Sequence, residues 1–428
     1  MSQVFVIDQD KRPLNPVHSA DARHLLTTGQ AAVFRRFPFT LILKQSAPAA
    51  VQPLRLKIDP GSKTTGLALL NEATGQVVWA AELTHRGQQV KAKLDDRRAQ
   101  RRGRRSRHTR YRQPRFQNRT RSQGWLPPSL QSRLQNVLTW VARLQRYAPI
   151  TNLSQELVRF DMQMMQDAEI SGVAYQQGEL QGYEVRQYLL EKWQRCCIYC
   201  GVKDVPLQVE HIVPRARGGT DRVSNLTLAC EPCNQRKGTQ TAVEFGFPDI
   251  QARAKAPLKD AAAVNTTRWA LYQQLQQTGL PVETGTGGRT KWNRTIRDLP
   301  KTHWLDAACV GASTPQVLHS KGIVPLLITA TGRQRRQMCL MDRFGFPRTK
   351  GKGPSTVQGF RTGDIVKAII PTGIKSGTYV GRIAVRKTGM FTITTSTITG
   401  QDTNVKYLTC LHHMDGYSYQ ITQKGRSA

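Results

Sequence analysis

A dense run of basic residues in the first third of the chain constrains folding most. Residues 91–121 contain 14 lysines and arginines against two aspartates, with few apolar side chains between them. Such a segment cannot enter a hydrophobic core, because burial of unpaired charge is costly. Its composition favours a helix, interrupted only by Gly103 and Pro114. We therefore predict one long exposed basic helix with an irregular end; a disordered arm or a merely solvated helix face is the alternative.

Charge is distributed unevenly along the whole chain. The 428 residues include 63 Lys and Arg against 29 Asp and Glu, a formal charge of +34. Residues 331–428 hold 16 basic and four acidic residues, a second excess of +12 that equals the excess of residues 91–121. A net charge of +34 would destabilise the isolated protein by self-repulsion, so it implies a polyanionic partner. The two concentrations of charge predict two separate nucleic-acid surfaces.

Several classes of protein are excluded by simple features of the sequence. No run approaches the roughly 18–20 apolar residues that a membrane-spanning helix needs. The opening segment MSQVFVIDQD has no cationic head before an apolar stretch, so it is not expected to be a secretory signal. Eight cysteines are too few for a disulfide scaffold in a chain of 428 residues. We expect a cytosolic protein of several domains.

Two C-x2-C pairs give the strongest local prediction. Cys197 and Cys200 are followed, after 29 residues, by Cys230 and Cys233. Two such knuckles that meet across a hairpin suit one structural Zn²⁺ in tetrahedral coordination. Cys196 leaves the first ligand open, although the two-residue spacing favours Cys197. The alternative is four cysteines buried as small hydrophobic side chains.

A second set of polar residues lies between and beside these pairs: Glu210, His211, Asn225 and Asn234. A carboxylate and an amide oxygen that hold one Mg²⁺ on the scissile phosphate, with a histidine that deprotonates water, suit phosphodiester hydrolysis. The segment resembles the HNH (ββα-metal) nuclease motif. By that resemblance His211 matches the general base, Glu210 and Asn234 the metal ligands, and Asn225 a structural asparagine. The family often has Asp where Glu210 stands.

Four further residues are dispersed along the chain. Asp59 ends a predicted strand, Glu156 lies in another, and His303 and Asp306 share one face of a predicted helix. Three carboxylates that converge repel each other unless cations lie between them, as in a two-Mg²⁺ site. Each acid taken alone is better explained as a cap or a surface charge. Their order resembles a RuvC-type RNase H fold split into three parts, in which Asp59, Glu156 and Asp306 match the metal ligands and His303 the water-activating position.

A RuvC fold interrupted by an Arg-rich helix and then by an HNH module resembles the IscB family of RNA-guided DNA endonucleases, the transposon-associated ancestors of type II CRISPR effectors. The resemblance covers essentially the whole chain. It implies a multidomain α/β protein with a split RNase H-like (RuvC) core, an inserted bridge helix, a zinc-bearing HNH module and a C-terminal small β-barrel. The family's Pro-Leu-Met-Pro motif stands here as Pro13-Leu14-Asn15-Pro16, with Asn in place of Met.

The resemblance also implies domain boundaries. These are an N-terminal domain at 1–53, RuvC part I at 54–90, the bridge helix at 91–125, RuvC part II at 126–185, the HNH nuclease at 186–255, RuvC part III at 256–335 and a target-interaction β-barrel at 336–428.

The function implied is cleavage of double-stranded DNA guided by a structured ωRNA, with one protein chain in the ribonucleoprotein. HNH would cut the guide-paired strand and RuvC the displaced strand, next to a short flanking motif. The cofactors would be two Mg²⁺ in RuvC, one Mg²⁺ in HNH and a structural Zn²⁺. Expected RNA contacts are Arg97, Arg98, Arg101, Arg102, Arg104, Arg105, Arg107, Arg110 and Arg112. Candidate DNA contacts are Arg361, Lys367, Lys375, Arg382, Arg386 and Lys387.

Two other functions use part of the same residues. An RNA-independent HNH endonuclease of the homing or restriction kind leaves the Arg-rich helix and the dispersed acids without a purpose. A non-catalytic RNA-binding protein needs only the basic surfaces and the zinc, and leaves Glu210, His211 and Asn234 unexplained.

Overall fold

The computed structural model describes residues 3–45, 51–106, 125–157, 186, 189–190, 192–221, 224–255, 261–332, 339–343, 346–350, 356–372, 376–386, 390–395 and 401–421. Five predicted contact residues lie outside the described residues: Arg107, Arg110, Arg112, Lys375 and Lys387. The side chain of Arg104 also lies outside the description.

The described strands are β1 Phe5–Ile7, β2 Ala31–Arg35, β3 Thr40–Leu43, β4 Leu54–Pro60, β5 Thr64–Leu70, β6 Val77–Thr84, β7 Ile150–Glu156, β8 Leu207–His211, β9 Leu226–Cys230, β10 Val282–Gly285, β11 Leu326–Ala330, β12 Thr356–Val357, β13 Phe360–Arg361, β14 Ile365–Ile370, β15 Gly377–Val385, β16 Phe391–Thr394, β17 Gln401–Thr403, β18 Leu408–His412 and β19 Tyr417–Ile421.

The described α-helices are α1 Ser19–Thr27, α2 Gly87–Ser106, α3 Pro128–Gln145, α4 Glu231–Lys237, α5 Ile250–Lys255, α6 Ala261–Gln276, α7 Gly287–Thr295 and α8 His303–Ala308. Two 3-10 turns lie at Arg215–Arg217 and Val405–Tyr407. Among the described residues, no helix combines the length and the apolar character that crossing a membrane would require.

A seven-stranded sheet forms the centre, in the order β10-β7-β4-β5-β6-β11-β19. The β-rich runs LRLKIDPGSKTTGLALL and VVWAAEL predict a meander of three strands from Leu54, and β4, β5 and β6 are indeed successive antiparallel neighbours. On one side β7 runs parallel to β4 and β10 parallel to β7; on the other, β11 runs parallel to β6. Parallel pairs join segments that are far apart in sequence.

The i, i+4, i+7 spacing of apolar residues from Leu130 to Leu144 predicts an amphipathic helix, and α3 covers this sheet with that apolar face. Leu134, Val137, Val141 and Leu144 are buried, as is Trp140, whose ring lies 6.0 Å from that of Trp79 and nearly parallel to it. Burial of each large apolar side chain contributes about 1.5–3 kcal/mol. This packing holds α3 on the sheet and gives the basic helix α2, which contacts α3, a fixed neighbour.

The predicted basic helix is confirmed within the described residues. α2 spans 20 residues, and all of residues 91–102 in it are exposed. The predicted continuation to residue 121 lies outside the described residues. The exposed arginines therefore lie on a regular helix that is separated by two residues from the end of β6, a strand of the central sheet.

The C-terminal residues form a five-stranded antiparallel sheet, in the order β17-β16-β15-β14-β18. Val366, Ala368, Ile383, Phe391 and Ile393 make its small core. In the described part of the chain, the outer strands β17 and β18 are not paired with each other, so strand pairing does not close this sheet into the expected barrel. The last strand, β19, leaves it and pairs antiparallel with β11 of the central sheet.

Asp415, on the segment that leads into β19, joins three parts of the chain. Its Oδ2 lies 3.0 Å from Arg35 of β2 and 3.0 Å from Arg143 of α3, and Tyr419 donates a hydrogen bond to it. Burial raises the pKa of Asp415, but His412, Arg143 and Tyr419 lower it more, to about 2. The ionised carboxylate thus stabilises the fold.

We expect Asp415→Asn to lower the free energy of unfolding by about 2 kcal/mol at pH 7, because a pKa held below its unfolded value stabilises the ionised form. The stabilisation is complete above about pH 4, the unfolded pKa, and is lost as the pH falls toward 2. Urea denaturation followed by tryptophan fluorescence would measure it, with exposed Asp249→Asn as the control. An equal loss at pH 7 and pH 3 would contradict this origin of the effect.

Candidate metal and catalytic centres

The four predicted zinc ligands come together at the hairpin of β8 and β9. The Sγ atoms of Cys197, Cys200, Cys230 and Cys233 all lie within 4.8 Å of one another, and those of Cys200 and Cys230 are 3.7 Å apart. Zn–S bonds of about 2.3 Å in a tetrahedron place sulfurs about 3.8 Å apart, so the cluster fits one Zn²⁺. Cys196 is not in the cluster; its Sγ instead donates to the Trp193 carbonyl at 2.9 Å.

His211 ends β8 and contacts a loop residue that the sequence did not single out as a site residue. Its Nε2 lies 2.7 Å from Oδ1 of Asp221, which also pairs with Arg215. Burial lowers the pKa of His211, as do Arg215 and Lys237, while Glu210 opposes the shift. The ring is therefore neutral near pH 7 and can accept a proton, as a general base must.

Asn225 holds the loop that carries Asp221. Its Oδ1 accepts the N–H of Val213 at 2.9 Å, and its Nδ2 donates to the carbonyls of Val213 at 3.0 Å and Thr220 at 2.9 Å. Three side-chain hydrogen bonds from one buried amide close the loop against the end of β8. Asn225 thus makes contacts of the kind that a structural asparagine makes: its side chain holds the backbone of the loop.

Glu210 does not stand as an open metal ligand. Its Oε1 forms an ion pair with Lys237, whose side chain is fully buried, and its Oε2 accepts a hydrogen bond from Tyr199 at 2.7 Å. Asn234 donates to Oε1 of Gln208 at 2.7 Å. A buried carboxylate is stable when a cation and hydrogen bonds satisfy it. In this arrangement the ammonium of Lys237 neutralises Glu210, and Glu210 and Asn234 as Mg²⁺ ligands stay a prediction.

The dispersed acids lie on neighbouring elements at one end of the central sheet. Ile58 of β4 pairs with Gln155 of parallel β7, so the next residues, Asp59 and Glu156, follow side by side. Asp306 lies on α8, which packs on β4 and β5. Burial raises the pKa of Asp306 and the charge of Glu156 raises it further, against Arg294. A carboxylate such as Asp306, whose pKa is raised by a neighbouring carboxylate, fits a cation site of oxygen ligands.

Helix α8 can approach this closely because residue 66 is glycine. A Cβ on Gly66 would lie 1.8 Å from the carbonyl oxygen of His303. Gly66 is the antiparallel partner of Asp59, so the start of α8 lies over the strand next to that aspartate. His303 itself donates its backbone N–H to Glu82 at 3.1 Å. The structure therefore brings His303 and the three acids to one region.

Two arginines that the sequence did not single out hold the acids. Arg268 of α6 is 4% exposed; it donates to Oε1 of Glu156 at 3.1 Å and to the Pro60 carbonyl at 3.1 Å. Arg294 of α7 forms an ion pair with Asp306 at 2.8 Å. The two cations offset the repulsion among the carboxylates. Composition could not indicate them among 63 basic residues.

The predicted nucleic-acid contacts divide into two described groups. The first is exposed on α2: Arg97, Arg98, Arg101, Arg102 and Arg105. The second lies on the C-terminal strands, where Arg361 and Arg386 are exposed and Lys367 and Arg382 are half-buried. Arg386 pairs with Asp402 at 3.2 Å and Arg361 bonds to Thr356, so these two side chains already have partners.

Two family models match the chain. Residues 4–178 match "RRXRR protein", and the sequence contains Arg-Arg-Gly-Arg-Arg at 101–105 within α2. Residues 197–240 match "HNH endonuclease", a span that includes all four clustered cysteines, His211 and Asn234. None of the curated proteins matches the chain. The chain therefore carries an HNH domain, which is a metal-dependent DNA endonuclease domain.

Solved structures of Cas9 also resemble the chain. Streptococcus thermophilus Cas9 in complex with the AGAA PAM is 15% identical, with a TM-score of 0.23 over 59% of this chain and 32% of that one. The type II-C Cas9 from Actinomyces naeslundii is 17% identical, with a TM-score of 0.15 over 44% of this chain and 29% of that one. The chain thus spans about a third of the length of these proteins, and such TM-scores do not establish a common overall fold.

We expect Cys233→Ser to remove one equivalent of zinc per chain and to lower the melting temperature, because three sulfurs cannot complete the tetrahedral site. Elemental analysis and a thermal melt would measure both effects. Cys339→Ser is the matched control, since Cys339 lies outside the cluster. Unchanged zinc content in Cys233→Ser would show that the cluster does not hold the metal.

Proposed function

We propose that the chain is an RNA-guided DNA endonuclease of the IscB kind, with two nuclease centres. The observation that carries the proposal is that one chain contains an HNH domain and, apart from it, an acidic centre at the end of a sheet. The exposed basic helix α2 supplies an RNA-binding surface beside that sheet. An HNH endonuclease that works without RNA would need neither the acidic centre nor this helix.

In the HNH centre, His211 would take a proton from the attacking water. Asp221 contacts Nε2 of the neutral ring and thereby fixes the orientation of the ring, including its other nitrogen, Nδ1. The zinc of Cys197, Cys200, Cys230 and Cys233 would have a structural role, by holding the segment before β8 to the end of β9 and the start of α4. The divalent cation of HNH domains supplies charge stabilisation at the scissile phosphate.

In the acidic centre, Asp59, Glu156 and Asp306 would hold two Mg²⁺, which supply charge stabilisation of the attacking and leaving oxygens. His303 would assist the attacking water from the start of α8. Arg268 would hold Glu156 in position and Arg294 would hold Asp306. We propose this centre as the RuvC nuclease of the chain.

The two basic surfaces would divide the nucleic acids between them. The arginines of α2 would bind phosphates of a guide ωRNA, and the C-terminal sheet would contact target DNA next to a short flanking motif. Base pairing with the guide would supply the sequence specificity. Location in a prokaryotic cytoplasm, a single protein chain per complex and association with a transposon belong to the same proposal.

The proposal is tested with the full chain purified with its co-expressed RNA. With Mg²⁺ and a plasmid that carries the guide's target beside randomised flanks, we expect cleavage only next to a subset of flanking sequences. Removal of RNA by RNase, or a guide without a match, should abolish it. Cleavage that persists in either case would support the RNA-independent endonuclease, and no cleavage with a matched guide would support the RNA-binding protein without activity.

We expect Asp59→Ala to cut only the guide-paired strand and His211→Ala only the displaced strand, so that each variant nicks the plasmid. The reason is that each side chain belongs to one centre. Strand-specific end labels would identify the cut strand. Exposed Asp249→Ala and His319→Ala are matched controls that should cut both strands. If either Asp59→Ala or His211→Ala abolished both cuts, the assignment of one strand to each centre would be wrong.

We expect the double change Arg101→Gln and Arg102→Gln to weaken RNA binding and to make it less dependent on salt. Each phosphate contact contributes about 0.7–0.9 to the slope of log affinity against log salt concentration, so the slope should fall by about 1–2. Filter binding at several salt concentrations would measure it. The exposed pair Arg23→Gln and Arg146→Gln keeps the same net charge change and should leave the slope unchanged. Equal slopes in both double variants would place the RNA elsewhere.

A further inference from the structure

A second group of metal-binding side chains lies on the C-terminal sheet, far in sequence from both proposed nuclease centres. The ligand atoms of Asp364, Cys410 and His413 all lie within 4.8 Å of one another. Nδ1 of His413 is 3.2 Å from Oδ2 of Asp364 and 3.4 Å from Sγ of Cys410. A carboxylate, a thiol and an imidazole therefore converge on one point.

The backbone of the turn that contains Asp364 and the backbone after β18 bring these residues together. Asp364 lies in the turn before β14 and is fully buried; its carboxylate accepts the N–H groups of Arg361 at 2.9 Å and Met414 at 2.7 Å. Gly363 has a φ of 107°, and a Cβ there would lie 2.9 Å from the Met414 side chain. The turn is thus pressed against the segment that follows β18.

A β-bulge orients the other two ligands. Val366 of β14 pairs with Cys410, but the preceding Ile365 pairs with His412, so Leu411 is an extra residue in β18. A bulge bends its strand and redirects side chains. Cys410 and His413, in a C-x2-H spacing, consequently both reach Asp364 from consecutive parts of a bent strand.

The hydrogen bonds to backbone explain Asp364 as a residue that closes a loop, but they do not account for the other two side chains. Neither Cys410 nor His413 is required for those bonds. Thiolate, imidazole and carboxylate are the three side-chain ligand types of Zn²⁺, and a sulfur ligand disfavours Mg²⁺ and Ca²⁺. The side chain of His413 is 70% exposed, so an ion can enter from solvent.

We propose that Asp364, Cys410 and His413 bind a second Zn²⁺, with a fourth position open to solvent or to a ligand. This site does not depend on the proposed nuclease function. It joins the turn before β14 to the segment that leads through Asp415 into β19. The ion would therefore strengthen the connection between the C-terminal sheet and the central sheet.

The test is the number of zinc ions in the full chain, expressed with added zinc and dialysed against metal-free buffer. We expect two per wild-type chain by elemental analysis. His413→Ala and Cys410→Ser should each retain one, and Cys339→Ser, in which an uninvolved cysteine is changed, should retain two. Circular dichroism should be unchanged in His413→Ala, because that side chain is largely exposed.

A Co²⁺-substituted protein separates the two sites by their sulfur content. The thiolate-to-cobalt absorption should fall by about a fifth in Cys410→Ser, since one of five sulfur ligands is lost, and by a far larger fraction in Cys233→Ser. If the wild-type chain holds one zinc after purification, titration with Zn²⁺ against a competing chelator must reveal a second site that His413→Ala lacks. One site in that titration, or two zinc ions in both His413→Ala and Cys410→Ser, would overturn the proposal.

Discussion

The parallel pairing of β4 with β7 is the contact on which the acidic centre depends. Leu54–Pro60 and Ile150–Glu156 are separated by the rest of the meander, the basic helix and α3, yet their register places Asp59 beside Glu156. A shift of one residue would turn one of the two acids to the other face of the sheet. α8 then adds Asp306 to this pair, and its close approach is possible only because Gly66 has no Cβ.

A chain with a net charge of +34 uses part of its basic excess inside the fold. Arg268 pairs with Glu156, Arg294 with Asp306 and Lys237 with Glu210, all in buried or half-buried positions. Such pairs are required because a buried carboxylate without a cation is strongly unfavourable. The arginines of α2 are instead exposed to solvent. The same two residue types therefore stabilise the acids in the core and supply the basic surface for nucleic acid.

The C-terminal residues are joined to the rest of the molecule through a short segment. Cys410, His413 and Asp415 lie within six residues, between a bulged strand and a strand of the central sheet. Asp415 is held by Arg35 of β2 and Arg143 of α3, so this segment also touches those two elements. A stable ion at Asp364, Cys410 and His413 would add a further link at the same place. The predicted domain boundary near residue 336 would therefore divide the sequence, while contacts of Asp415 and β19 join its two sides.

Features that arise from local spacing follow from the sequence alone: the C-x2-C pairs, the apolar face of α3, the meander of β4 to β6 and the basic helix as far as Ser106. These depend on neighbouring residues, whose relations follow from the period of a strand or helix. Only the tertiary structure decided that Lys237 neutralises Glu210, that Asp221 contacts His211, that Arg268 and Arg294 hold the acids and that β19 returns to the central sheet. Those contacts join side chains from separate elements, and their choice among 63 basic residues depends on packing and burial that no sequence period expresses.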